Sequence, residues 1–181
     1  MKATGIVRRI DELGRVVIPK EIRRTLRIKE GDPLEIFTDR DELTLKKYSP
    51  IATLEEFSES TAKSLNLLSG KLAVICDTDG ILHASGEGKR DLEGKRLAAE
   101  MDKILRERKS YLANASDGDQ IVPISEISID GVTSQIIVPI VANGDCIGAV
   151  ALLSRAENEK MDSNLLNLVR LTAEILSNHF E

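Results

Sequence analysis

The chain has 181 residues, 41% hydrophobic and 30% charged, with a formal net charge of −5. That length suits two small domains, and the composition is that of an ordinary globular protein. No apolar run approaches the roughly 20 residues that would span a bilayer, and no signal-peptide pattern opens the chain. With no tryptophan and 3% aromatics, the chain lacks the stacking platforms of a single-strand nucleic-acid binder. The net charge hides a split. Residues 1–53 carry 12 Lys/Arg against 9 Asp/Glu, whereas residues 54–181 carry 13 against 21. Halves of opposite sign imply two domains with different partners.

Residues 5–10 (GIVRRI) and 15–18 (RVVI) are predicted strands joined by a turn at Asp11-Glu12-Leu13-Gly14. Pro19 suits the first position of a short helix over residues 20–27, with Gly31 as its stop. Arg23 and Arg27 would share one face of it. Residues 33–38 and 42–48 alternate apolar and polar around Asp39-Arg40-Asp41, a predicted hairpin. A unit of about 50 residues without disulfide or metal buries little by itself, so an obligate dimer is expected. Residues 51–54 are expected as a linker, with Thr53 and Glu56 as a capping box for a helix to about residue 69.

Further on, strands are predicted at 72–76, 81–84, 120–124, 134–142 and 145–153, with helices at 94–109 and 161–180. Asn143-Gly144 between apolar runs is a type I′ hairpin signal. The last helix shows a stripe of Met161, Leu165, Leu168, Thr172 and Ile175, widened by Leu166, Val169 and Leu171, enough to serve a neighbouring subunit as well. The overall expectation is an α+β chain whose second half is an antiparallel sheet flanked by helices.

The run MKATGIVRRIDELGRVVIPKEIRRTLRIKEGDPLEIF, and GRVVIPKEIRRTL above all, resembles the AbrB-type swapped-hairpin DNA-binding domain. The resemblance implies two chains interleaving their hairpins into one β-barrel whose basic face meets double-stranded DNA. By that motif the DNA-facing residues are Arg8, Arg15, Arg23 and Arg24, with Arg9 and Lys2 as additions to the same basic set. Arginine suits the task because its fork grips phosphate or guanine edges and keeps its charge. Asp11 and Glu12 beside this set are expected to fix the turn or orient an arginine. Pieces such as LAVICDTDGILHASG and VPIVANGDCIGAVALLS extend the resemblance to sporulation regulators that join an AbrB-type domain to a GAF domain. This places an AbrB-type DNA-binding domain at residues 1–50, a linker at 51–54 and a GAF-like sensor or oligomerisation domain at 55–181.

Other motifs carry less. Gly86-Glu87-Gly88-Lys89 lacks the full phosphate-loop spacing and is expected as a loop at the mouth of the GAF pocket. Asp77 and Asp79 make an ordinary turn with no downstream glutamate to complete a calcium loop. His83 and His179 have no companions at ligand spacing, and Cys76 and Cys146 are expected as strand-core thiols. No metal, cofactor or catalytic set is expected. The expected protein is a cytoplasmic, nucleoid-associated, homo-oligomeric transcription regulator. It would dimerise through the barrel, join as a tetramer through the second domain, and answer to an unidentified small-molecule effector. An antitoxin and a nucleoid-organising protein with little promoter choice are the alternatives.

Overall fold

A computed structural model describes residues 5–127, 130–157 and 159–180. They fall into two compact units, Met1–Tyr48 and Ser49–Glu181, each described by itself.

In the first unit, α1 spans Lys20–Thr25, followed by β1 (Leu34–Asp39) and β2 (Glu42–Lys47) as an antiparallel hairpin pairing Asp39 with Glu42. Pro19 is the cap residue preceding α1 rather than its first helical position; its carbonyl accepts from the Arg23 N–H at 2.9 Å. Gly31 is not the stop. The Ile28 N–H reaches the Arg23 carbonyl and the Arg27 N–H that of Arg24, with Arg27 left-handed at φ +52°. This is a Schellman closure, which satisfies the helix's last carbonyls four residues before Gly31. It also takes Arg27 off the face of Arg23, since Arg27 lies beyond the helix. Lys47 Nζ pairs with Asp32 Oδ2 at 3.2 Å, both side chains mostly covered.

Among the described residues, 5–10 and 15–18, the predicted strands, form no strand ladder. A strand exists through its pairing, and a single chain offers these segments no edge whose burial would repay their ordering. No residue from 5 to 48 is buried. Val7, Leu13 and Val17 are each more than 70% exposed, and Ile10, Val16, Ile36 and Leu43 are exposed too.

The second unit has an extensive core. A 3-10 turn at Ile51–Leu54 leads into α2 (Glu55–Ser69); β3 (Leu72–Cys76), β4 (Ile81–Ser85), α3 (Lys89–Leu92), α4 (Met101–Glu107), β5 (Tyr111–Asn114), β6 (Ser134–Ala142), β7 (Asp145–Ser154) and α5 (Ser163–Ser177) follow. The strands make one antiparallel sheet in the order β4-β3-β7-β6-β5. Alternate residues of the central strands serve opposite faces. Ala73, Ile75, Ile136, Val150 and Leu152 face α2 and α5 together with Val169, Ala173 and Leu176. Val74, Cys76, Ile137, Ala149 and Ala151 face Leu92, Leu97, Met101, Leu105 and Ile124. With both faces covered, β3 is buried at all five positions. Cys76 and Cys146 both belong to the α4 face, and burial pushes both thiols up.

Several expectations need correction. Residues 51–54 are no linker, because Ile51 is fully buried under the sheet. Thr53 is no cap: the 3-10 turn runs straight into α2, and the Thr53 hydroxyl donates to the Pro50 carbonyl at 2.6 Å. The predicted helix at 94–109 begins only at Met101, because Arg96 and Leu97 bridge to Gly80 and Ser125. Residues 120–124 form no strand, since Tyr111–Asn114 takes the sheet edge beside β6. On α2, Leu68 points outward; on α5, Leu171 and Ile175 are exposed, and Leu176 joins the expected Val169 in the buried stripe. The Asn143-Gly144 turn stands, with φ of +49° and +83° as a type I′ turn requires.

Gly148 on β7 is a point of closest approach. A Cβ there would collide with the Cys76 carbonyl oxygen and sit 2.7 Å from Ile51 Cδ1. Gly148→Ala is expected to destabilise the second unit by roughly 3 kcal/mol, since backbone must move to admit it. Urea unfolding followed by circular dichroism checks this; an unchanged midpoint would refute the packing described.

Candidate nucleic-acid interface

The basic candidates sit on two local structures of the first unit. The turn linking residues 10 and 15 presents Arg15, with Arg8 and Arg9 on the segment before it; α1 presents Arg23 and Arg24. Lys2 lies outside the described residues. Arg8, Arg9, Arg15, Arg23 and Arg24 are all exposed. Arg23 and Arg24 are consecutive on a helix, so their side chains leave it about 100° apart. The described residues place no carboxylate within ion-pair reach of Arg8, Arg9, Arg23 or Arg24. Arg8 Nη1 donates only to the neighbouring Val7 carbonyl, at 3.3 Å.

Arg15 is held differently. Asp11 Oδ2 accepts from Arg15 Nε at 2.8 Å, while Asp11 Oδ1 accepts from the backbone N–H groups of Leu13 at 3.0 Å and Arg15 at 2.8 Å. The backbone closes the same turn: the Asp11 N–H donates to the Arg15 carbonyl, and the Gly14 N–H to that of Asp11. Gly14 supplies the left-handed φ of +75° this path needs. Asp11 thus both fixes the turn and orients an arginine, as its position beside the basic set suggested. The Arg15 N–H and then its guanidinium hold the Asp11 carboxyl below the ordinary aspartate range. Such a shift arises when the charged form gains donors. The Lys47–Asp32 pair went unnoticed in the sequence, because the hairpin register, and no local spacing, brings those residues together.

In the second unit two cavities adjoin, each of about 360 Å³, sharing Val132 and Leu153 in their walls. One is walled by the apolar 121–124 segment with Gln135 and Asp130; the other by Lys71, Glu87, Arg155 and Glu159. Glu87 belongs to the loop expected at a pocket mouth, and the Arg155 guanidinium packs against Gly88 there. Asp77 is a turn residue, its Oδ1 accepting from the N–H groups of Asp79 and Gly80.

The family model described as the stage V sporulation protein T C-terminal, transcription factor, matches residues 53–181. The chain belongs to the stage V sporulation protein T family. Stage V sporulation protein T of Bacillus subtilis (strain 168) is 51% identical over 156 residues, covering 86% of each chain. The model described as antidote-toxin recognition MazE, bacterial antitoxin, matches residues 7–53. Transition state regulatory protein AbrB of the same organism is 54% identical over 74 residues, 41% of this chain and 77% of that one. The first unit is therefore AbrB-type. For the second, the GAF domain from Acinetobacter phosphoenolpyruvate-protein phosphotransferase superposes with a TM-score of 0.57 at 11% identity, covering 69% of this chain and 80% of that one. That likeness is one of fold, and it agrees with the GAF-like architecture expected from the sequence.

Because the folded pKa of Asp11 is depressed, its contribution to the turn is present above the ordinary aspartate pKa. It is lost as pH falls through the folded value. An NMR titration is expected to give Asp11 a midpoint below that of ordinary aspartates, and Arg15→Ala to move it upward. A midpoint indifferent to Arg15 would show that the pair does not persist in solution.

Proposed function

We propose that the chain is a sporulation transcription regulator whose AbrB-type unit dimerises to bind duplex DNA, with Arg8, Arg9, Arg15, Arg23 and Arg24 as its contacts. Lys2 is proposed as a further contact by its motif position alone. The observation that carries this reading is the contrast within residues 5–48: apolar side chains that the chain leaves uncovered, beside Arg8, Arg9, Arg23 and Arg24, which have no carboxylate partner among the described residues. Uncovered apolar surface on so small a unit calls for a second chain, and a second copy doubles the basic set. Ten arginines per dimer would give a substantial counterion-release footprint. Sequence preference would then rest on DNA shape and deformability as well as on base edges.

The second unit is proposed to add oligomer contacts and a pocket for an unidentified effector. Leu171 and Ile175 on α5, and Leu67 and Leu68 on α2, remain exposed. Such surfaces fit a helix-to-helix contact that joins two dimers as a tetramer. An antitoxin reading, which the MazE match to residues 7–53 brings forward, fits less well. Its toxin-wrapping tail would have to be a segment that instead builds a five-stranded sheet with a core on each face.

Duplex-DNA binding by the full chain across a salt series tests the reading. The affinity is expected to fall steeply with salt. Arg24→Ala is expected to flatten the slope of log K against log salt by roughly 2, because each dimer loses two phosphate contacts. Absence of DNA binding at low salt would refute the assignment. Leu171→Glu with Ile175→Glu is expected to halve the mass in sedimentation while leaving the N-terminal dimer. A mass unchanged from wild type would refute the contact through α5.

A further inference from the structure

Among the candidate DNA contacts, Arg15 at the turn carries an acidic partner, and the partnership has a specific geometry. Asp11 uses one carboxylate oxygen for two backbone N–H groups and the other for Arg15 Nε. One side chain thereby ties down both the backbone and the guanidinium of Arg15. The Arg15 side chain is nevertheless 70% exposed, and neither terminal nitrogen has a partner among the described residues. A guanidinium offers two forked edges; with Nε–H occupied, the Nη1/Nη2 edge remains, aimed by the fixed Nε.

Simple electrostatics assigns Asp11 the opposite role. A carboxylate next to DNA-facing arginines repels phosphate, so removing its charge would tighten binding. Pre-organisation works against that. Arginine has many rotamers, and holding one in its bound geometry removes an ordering cost from the association step. Three short hydrogen bonds on one carboxylate decide between these effects, because a residue that only happened to be acidic would not be locked to the arginine's own N–H and Nε.

We propose that Asp11 is a positioning residue for DNA contact, holding the Arg15 guanidinium as a preformed fork for a phosphate or a base edge. The proposal rests on the DNA-binding reading given above. It states that the acidic charge strengthens binding to a polyanion by way of Arg15.

The test is fluorescence anisotropy with a labelled mixed-sequence duplex, using the full-length wild type, Asp11→Asn, Arg15→Ala and the double variant. Asparagine keeps a carbonyl oxygen for the two backbone N–H groups and loses the ion pair, so the turn is preserved. Asp11→Asn is expected to weaken binding on the order of 10-fold, for one rotamer-rich side chain released in each protomer. In the Arg15→Ala background the same substitution is expected to cause no further loss, an outcome that a purely structural role could not produce. Binding by Asp11→Asn equal to or tighter than wild type overturns the proposal and leaves the DNA-binding reading standing. An equal loss in both backgrounds overturns it too, since Asp11 would then act through the turn alone. Failure of the wild type to bind overturns the DNA-binding reading itself, and this proposal with it.

Discussion

Apolar side chains leave water only where the chain can surround them, and the two halves of this molecule meet that constraint in opposite ways. From Ile51 onward the chain builds a sheet thick enough to have two cores, and even the first turn of that unit drives a fully buried isoleucine beneath it. From residue 5 to Tyr48 no residue is buried: a short helix and a two-stranded hairpin leave valines, leucines and isoleucines in solvent. A two-stranded hairpin is marginal by itself, and a helix of six residues is far below the length at which helices persist alone. The unit's own resources are small polar devices. These are the Asp11 cap on its turn, the Schellman closure at Arg27 and the Lys47–Asp32 pair. They set local shape well and supply little stability.

That division explains where the basic residues lie. Charged side chains belong on surfaces that need no core, and the first unit is all surface within one chain. Arg15 is carried on a turn and Arg23 and Arg24 on a helix, each fixed by backbone hydrogen bonds rather than by packing. Acidic charge collects in the other half of the sequence. The net charge of the whole chain therefore says nothing about DNA, and the charge of each half does.

Legibility in the sequence followed the range of the forces involved. Short apolar runs bounded by turn residues located β3, β6 and β7 to within a residue, because burial on both faces forces that pattern. Asn143-Gly144 announced its hairpin because both positions need positive φ. Errors arose wherever a distant partner overrode a local preference. Residues 94–100 have helical periodicity but are drawn into bridges with Gly80 and Ser125. Tyr111–Asn114 has a poor strand pattern yet pairs because β6 presents an open edge. Thr53 and Glu56 spell a capping box, and Ile51's burial pulls the chain into a 3-10 turn instead. At the candidate interface, the contact of Asp11 with its turn and with Arg15 was suggested by its place beside the basic set, whereas the choice of arginines came from the family resemblance and stands as a proposal. The displacement of Arg27 was not legible, since nothing in an arginine announces a left-handed φ.

A buried thiol gives the second unit a property of a different kind. Cys76 lies in a strand buried along its whole length, and Cys146 faces the same core. Only a thiolate attacks an electrophile, and burial keeps the Cys76 sulfur protonated and shielded, whereas Cys146 is half-buried. Modification of Cys76 therefore has to wait for the sheet to open on its α4 face. Cys76 acts as an internal clock: its alkylation rate, read beside that of the more accessible Cys146, counts openings of that core in the intact regulator, with no strand disturbed.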